Sequence, residues 1–226
     1  MTSNRSAKLE TLLLVVCAAT LAGTSSVTQA QGFVHSSRAI GAKIILVDPH
    51  PSVLVFCDSG QLPPNGGSIQ ASLDTIRVDG TLSSHTVRAG CDGHLDGVVA
   101  ASWAVQSDVI VFEGQPAQVT AVTAGSRADV GCGFSEGFST VTDLTFGGAP
   151  VTVTMEPNQT VSIPGVATLV INEFIQVPEQ GDLTVNALHL TLVTGEEVIL
   201  SSAHGQVNCA TPSRPSTWGM VKRLYR

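Results

Sequence analysis

Charged and aromatic side chains are scarce in this chain. Only 13% of its 226 residues are charged and 4% are aromatic, whereas 43% are hydrophobic. Lysine and glutamate, which usually cover surface helices, are few, while valine and threonine recur throughout and favour strands. No stretch of residues 31–209 has a convincing period near 3.6 residues, and nothing beyond the N-terminus approaches the roughly 18 consecutive apolar residues of a membrane-spanning helix. The composition therefore argues against a helical bundle and against membrane helices in that part of the chain.

The N-terminus has the one long apolar run. Arg5 and Lys8 precede the segment TLLLVVCAATLAG, and small polar residues then continue to Ala30. A basic start, a short apolar core and small residues before a cleavage point are typical of a secretory signal peptide. We therefore predict a signal peptide over residues 1–30, cleaved between Ala30 and Gln31, and a secreted, extracellular or cell-surface protein.

Basic residues are also few. The chain has 11 basic and 18 acidic residues, and removing Arg5, Lys8 and Glu10 with the signal peptide leaves 9 and 17, a formal charge of −8. Nucleic acids and anionic membranes bind through a concentrated basic face, and the one basic cluster lies within residues 222–226. We therefore expect no nucleic acid partner, no transmembrane segment in the mature chain, and a cell-envelope or extracellular glycan or protein as partner.

Short alternating runs recur along the rest of the chain, separated by glycine, proline and aspartate. Their spacing of about 8 to 12 residues predicts about a dozen short strands in an all-β antiparallel sandwich, with a closed β-barrel as the alternative. We place this domain at residues 31–209, followed by a linker and C-terminal tail at residues 210–226. The predicted runs are 39–47, 52–57, 69–78, 81–89, 98–105, 109–112, 117–124, 128–132, 140–146, 151–155, 161–163 and 166–174.

The clearest strand pair lies within residues 181–209. Leu188, Leu190 and Leu192 share one side of an extended chain, Thr194-Gly195 forms a short connection, and a second strand then runs to Cys209. We expect an antiparallel hairpin, placed as the last pairing of a sheet.

Trp103 falls within the run 98–105. Val99, Ala101, Trp103 and Val105 share a face by alternation, which predicts that Trp103 packs in the core. An aromatic platform for a sugar is the functional alternative.

Five cysteines occur in the whole chain, and four remain after residue 30. An even number in an exported protein predicts two disulfides, for which three pairings are possible. Cys57 and Cys91 each end an early strand-like run, and Cys132 and Cys209 each end a later one. This order along the chain favours pairing Cys57 with Cys91 and Cys132 with Cys209.

The segment GFSEG, residues 133–137, matches the G-x-S-x-G pattern of a hydrolase nucleophile. Ser135 would act with His189 or His204, with Asp143 or Asp182 as the acid. The pattern needs an abrupt turn from a strand into a helix, whereas the residues that follow indicate another strand. We therefore expect no enzyme, and a small secreted serine hydrolase is the less favoured hypothesis.

Two further groups could bind metal. Asp92 and Asp96 could supply carboxylates to calcium, although a simple turn is the favoured explanation of the segment. His189 and His204 could meet across the final hairpin and bind metal or sense pH, but no third ligand is evident. We therefore predict no cofactor, with calcium as the alternative.

The hairpin sequence, TVNALHLTL followed by EEVILSSAHGQVNC, is similar to the C-terminal part of the choice-of-anchor P family of exported bacterial proteins. The similarity extends upstream through AIGAKIILV, SWAVQSDVIVFEGQPAQVTAVTAGSRADV, TDLTFGG and VATLVINEF, roughly residues 39–209. It implies a surface or extracellular β-rich domain of uncharacterised activity, whose relatives carry differing C-terminal sorting signals. It implies no catalytic residues. The tail departs from the pattern, since it has no LPxTG-like sequence and no apolar anchor helix.

Taken with the missing active site, these features predict an exported, non-catalytic β-rich module with a structural, adhesion or assembly role. The alternative is a glycan- or calcium-dependent binding domain. An exposed aromatic patch near Trp103 or near Asp92 would favour the alternative, whereas a flat surface with Trp103 buried would favour the structural role.

Overall fold

The computed structural model describes residues 33–47, 51–63, 65–94, 99–154, 156–177 and 181–209, which form strands and no helix. The predicted signal peptide, its cleavage site at Ala30 and Gln31, and the predicted tail lie outside these residues. Within them, no helix is long and apolar enough to cross a membrane. The strands are β1 (Phe33–Leu46), β2 (Ser52–Asp58), β3 (Gly67–Val78), β4 (Leu82–His94), β5 (Val99–Val111), β6 (Val119–Gly131), β7 (Phe134–Thr142), β8 (Thr145–Phe146), β9 (Ala149–Pro150), β10 (Gln159–Ile163), β11 (Ala167–Val177), β12 (Asp182–Leu192) and β13 (Glu197–Cys209).

The strands form two antiparallel sheets that pack face to face. Sheet 1 has the order β10-β11-β12-β13-β1-β2, and sheet 2 has the order β3-β4-β5-β6-β8-β9, with β7 also paired to β6. Both sheets end in edge strands in the described part of the chain, so the predicted β-sandwich is confirmed and the closed barrel is wrong. Apolar side chains alternate inward and fill the space between the sheets.

The predicted hairpin is confirmed as β12 and β13. Leu190 pairs with Val198, and Leu188, Leu190 and Leu200 are buried. The hairpin is not at the end of a sheet, because β1 pairs with β13 along almost its whole length. The first and last described strands therefore lie side by side in the interior of sheet 1.

The alternation of buried and exposed side chains changes phase along one row of sheet 1. In β13, Val198 and Leu200 are buried before this row, and Ala203 and Val207 are buried after it. The reversal accompanies left-handed backbone at three positions in the row, with φ between 50° and 52°. We call this row the crease, and its members are Asn172, Ala187, Ser201, Gly41 and Cys57.

Two buried polar side chains join the sheets at the crease. Gln106 of β5 donates from Nε2 to the Gly41 carbonyl at 3.1 Å, and Ser201 of β13 donates to the Ala124 carbonyl at 2.8 Å. Neither side chain is accessible to solvent. Each sheet thus gives one side-chain donor to a backbone carbonyl of the other, which fixes how the two sheets align.

We expect Gln106→Leu to destabilise the protein. The change keeps the volume but removes the donor to the Gly41 carbonyl, and losing one partner of a buried hydrogen bond costs about 1–3 kcal/mol. Urea unfolding measures the difference. Ser84→Ala is the control, because its buried hydroxyl has no hydrogen-bond partner in the described part of the chain and should cost little. Equal stability of Q106L and wild type would contradict this role.

The predicted position of Trp103 is wrong. Ala100, Ser102, Ala104 and Gln106 form the buried face of β5, and Trp103 lies half-buried on the outer face of sheet 2. Small residues are needed inside because β13 approaches closely: a Cβ added to Gly205 would lie 3.1 Å from the Ala100 carbonyl oxygen. The bulky side chains of β5 are therefore turned outward.

The predicted disulfide between Cys57 and Cys91 is also wrong, since both side chains are buried and the two cysteines are not bonded to each other. Cys57 Sγ lies 3.4 Å from the Val87 carbonyl oxygen, whereas Cys91 Sγ lies 3.2 Å from Ser59 Oγ. Val87 and Cys91 are four residues apart on β4, about 13 Å at the usual strand rise, so Cys57 contacts β4 well away from Cys91. Burial raises the pKa of the Cys91 thiol.

Cys132 is not one of the free cysteines. It follows β6 at the turn into β7, and Cys209 is the last residue of β13. The side chain of Cys209 lies outside the described residues, so the pairing of Cys132 with Cys209 stays a prediction.

Candidate functional site

Ser135 does not sit on a nucleophile elbow. Gly133, with φ of 100°, forms the turn between β6 and β7, and Ser135 pairs with Val130 inside the strand that follows. Its side chain is on the same face of β7 as the buried Val141 and points toward sheet 1. The strand-to-helix turn that would expose a nucleophile is therefore replaced by a β-hairpin.

His189 and His204 lie elsewhere. Both alternate with buried residues of sheet 1 and so point to its outer surface, away from Ser135. His189 pairs with Ile199 whereas His204 pairs with Thr184, which separates the histidines by five residues along the hairpin, about 16 Å. The proposed contact between the two histidines is therefore wrong, and neither is placed to activate Ser135.

Each histidine has its own neighbours. His189 donates from Nδ1 to the Glu173 carboxylate at 3.0 Å, and Glu197 Oε2 lies 3.5 Å from its Nε2. The hydrogen bond to Glu173 raises the pKa of His189, and the same bond lowers the pKa of Glu173. His204 Nδ1 lies 3.0 Å from Thr184 Oγ1. His189 is thus held between two carboxylates on the outer face of sheet 1.

We expect His189→Gln to reduce stability near pH 5.5 more than near pH 9. A raised folded pKa means that the contribution of His189 is complete below its ordinary value of 6.5 and is lost as the pH rises through the folded value. Glu173 has a lowered pKa, so its contribution is lost only as the pH falls below its ordinary value of 4.5. Urea unfolding at the two pH values measures this. A deficit that is the same at both would contradict the ion pair.

The calcium hypothesis is not tested by the part of the chain that the structure describes. Asp92 lies half-buried in β4, opposite Ser68 on one side and Ala101 on the other. Asp96 lies outside the described residues. Within those residues no group of three or more histidine, cysteine or acidic side chains is arranged to hold a metal ion.

Trp103 leans over the neighbouring strand β4. A Cβ added to Gly90, which pairs with Trp103, would lie 2.8 Å from both Cε2 and Cζ2 of the indole. The ring therefore covers the glycine, in a cross-strand pair where an aromatic side chain fills the space that glycine leaves. Because Trp103 is only half-buried, the rest of the ring is open to solvent.

The exposed part of this ring borders a cleft of about 280 Å³ on the outer face of sheet 2. β4 runs along the cleft between Trp103 and β3. We call it the Trp103 cleft, and its exposed polar side chains are Gln70, Ser72, Asp74, Thr86 and Arg88. Its volume is just below the roughly 300–1,000 Å³ of small-molecule sites.

The polar side chains of the cleft were not predicted, although the sequence contains a signal for them. In β3, Gln70, Ser72 and Asp74 alternate with Ala71 and Leu73, which places three polar groups on one outer face. The same alternation in β4 exposes Thr86 and Arg88. That signal becomes useful only once Trp103 is known to lie on the same outer face.

Gly90→Ala should displace the indole of Trp103. The new methyl group would lie within 2.8 Å of the ring, closer than van der Waals contact allows. We expect a loss of roughly 1 kcal/mol in stability from this overpacking. In a Trp103→Ala background the same change should cost nothing, and a double-mutant cycle of unfolding free energies measures the coupling. Additive effects would show that Trp103 does not rest on Gly90.

Comparison with known proteins finds no match. No protein-family model matches the chain, and neither does any curated protein or solved structure. The similarity to the choice-of-anchor P family therefore stays a prediction from the sequence. Any function assigned to this chain rests on the chemistry of its own site.

Proposed function

We propose that this protein is an exported, non-catalytic β-sandwich module that binds a glycan in the Trp103 cleft. The observation that supports this most is the outward position of Trp103, which is half-buried and held over Gly90 beside exposed polar side chains. A tryptophan in the core would have favoured a purely structural role.

A glycan suits the cleft chemically. The indole offers a rigid apolar surface on which the C–H groups of a sugar ring can pack, and its N–H can donate a hydrogen bond. Ser72, Thr86 and Gln70 can donate to and accept from sugar hydroxyls, and Asp74 can accept from them. A second cleft, of about 80 Å³ at the turn between β3 and β4, has no aromatic side chain in its lining and lacks this combination.

The absence of catalysis is part of the proposal. Ser135 lies inside β7 and faces sheet 1, and His189 and His204 point outward from the far side of that sheet. These positions support a binding role over hydrolysis. The predicted signal peptide and the acidic mature chain support export and a partner in the cell envelope or outside the cell.

Retention of the purified protein on immobilised glycans tests the proposal. Peptidoglycan, cellulose, chitin, alginate and pectin cover neutral, amino and acidic sugars, and each is tried with calcium and with a chelator. We expect retention on at least one of them, abolished by soluble oligosaccharide of the same type. Retention that requires calcium would extend the proposal to the Asp92 region. A protein that binds none of the five would favour the purely structural role.

A further inference from the structure

The arginines of the described strands differ in whether they have an acidic partner. Arg77 lies 3.6 Å from Asp79, Arg127 lies 2.6 Å from Asp129, and Arg38 is paired with Asp58. Arg88 has no carboxylate within ion-pair distance among the residues that the structure describes. No carboxylate of the described residues therefore occupies its hydrogen-bond donors, which are available for a ligand.

Arg88 is placed in the Trp103 cleft. It is two residues before Gly90 on β4, on the outer face that Trp103 covers. Asp74, the acidic residue of the cleft, lies across from Thr86, whereas Arg88 pairs with Ser72. The two charges therefore lie in different rows of the sheet. On the other side of Trp103, Arg127 is already neutralised by Asp129.

We infer that the glycan bound in the Trp103 cleft is acidic, and that Arg88 binds its carboxylate. This inference rests on the proposed glycan-binding function and names the class of sugar, one with a uronic acid or a similar carboxylated residue. The sugar ring packs on the indole while its carboxylate accepts two hydrogen bonds from the planar guanidinium. The net charge of the chain is −7, so this attraction is local to the cleft and does not extend to anions in general.

Two matched oligosaccharide pairs test this inference. Oligogalacturonate and alginate oligosaccharides are each compared with the same oligosaccharide after carboxyl reduction, which keeps the chain but removes the charge. Dissociation constants are measured for the wild type, Arg88→Gln and Arg127→Gln. The second variant is the control, since it removes one positive charge beside Trp103 from an arginine that is already paired.

We expect the wild type to bind at least one acidic form about tenfold more tightly than its reduced form, as one charge-assisted hydrogen-bond pair would give. R88Q should lose this preference and keep its affinity for the reduced form, while R127Q keeps the preference. A preference that survives in R88Q, or its absence from the wild type in both pairs, overturns the role of Arg88 but leaves glycan binding standing. A wild type that binds neither these probes nor any immobilised glycan overturns both proposals.

Discussion

Alanine in place of Trp103 is expected to weaken glycan binding by tenfold to a hundredfold, or about 1.4–2.8 kcal/mol. The indole provides the one large apolar surface of the cleft, and a buried aromatic contact commonly dominates the affinity of a binding site. The change should leave folding largely intact, because Trp103 lies on the outer face of sheet 2 and fills no core position. Isothermal titration with the retained glycan measures the loss.

Phe138→Ala is the matched control for this substitution. Phe138 is 51% exposed on β7 and lies in the same transverse row, two strands from Trp103. It does not line the cleft, so we expect its removal to leave affinity unchanged. Trp103→Phe should retain part of the affinity, since a smaller ring still packs on a sugar. Equal losses in W103A and F138A would mean that the outer face binds through general hydrophobicity.

Gly41→Ala, which adds one methyl group at the crease, should strongly destabilise the protein. A Cβ at this position would lie 2.3 Å from Val87 Cγ1 and 2.9 Å from Cys57 Cβ, between the two sheets. Overpacking of this kind costs about 1–3 kcal/mol and sometimes more, and it would also shift the carbonyl that Gln106 binds. We expect the urea midpoint to fall accordingly.

Gly125→Ala is the comparison for this effect. Gly125 is also a buried strand glycine, but an added Cβ would meet its nearest neighbours at an ordinary 3.5 Å. That change should be neutral or slightly stabilising, since alanine restricts the unfolded chain. Removing the clash with Val87→Ala should recover part of the loss in G41A, beyond what adding the separate effects predicts. A G41A protein as stable as G125A would contradict close contact of the sheets at the crease.

The alternation of apolar and polar residues along the chain made the fold class predictable. Leu188, Leu190 and Val198 mark the two arms of the hairpin, and the turn between β3 and β4 lies at Asp79-Gly80, residues typical of a tight turn. A half-buried strand must place every second side chain inward, so these patterns are local and can be found without knowing the partner strand. The order of the strands in each sheet could not be found in this way.

The same alternation of apolar and polar residues also explains why some predicted strand boundaries were wrong. The predicted runs 98–105 and 109–112 form one strand, β5, and the runs 117–124 and 128–132 largely form β6. In β5 the phase of burial changes near Asp108, whose φ is 50°. A strand that reverses its buried face has the sequence pattern of two shorter strands.

The outward position of Trp103 could not be predicted from the sequence, because it depends on contacts with a strand far along the chain. The face with Val99, Trp103 and Val105 is bulkier than the face with Ala100 and Ala104, so sequence alone favours it as the core. The interior face is decided by how closely β13 approaches, which depends on small residues about a hundred positions later in the chain. That Cys57 and Cys91 are not bonded to each other escaped prediction for the same reason, because contacts between sheets leave no local pattern.

Fluorescence titration of a Trp218→Phe variant tests the central claim most directly. The chain has two tryptophans, so this variant leaves Trp103 as the sole tryptophan and its emission reports on the cleft. If the glycan packs on Trp103, the emission should change saturably, with the same midpoint as retention of the protein on that glycan. A glycan that binds with full affinity while the Trp103 emission stays unchanged would place the binding site elsewhere.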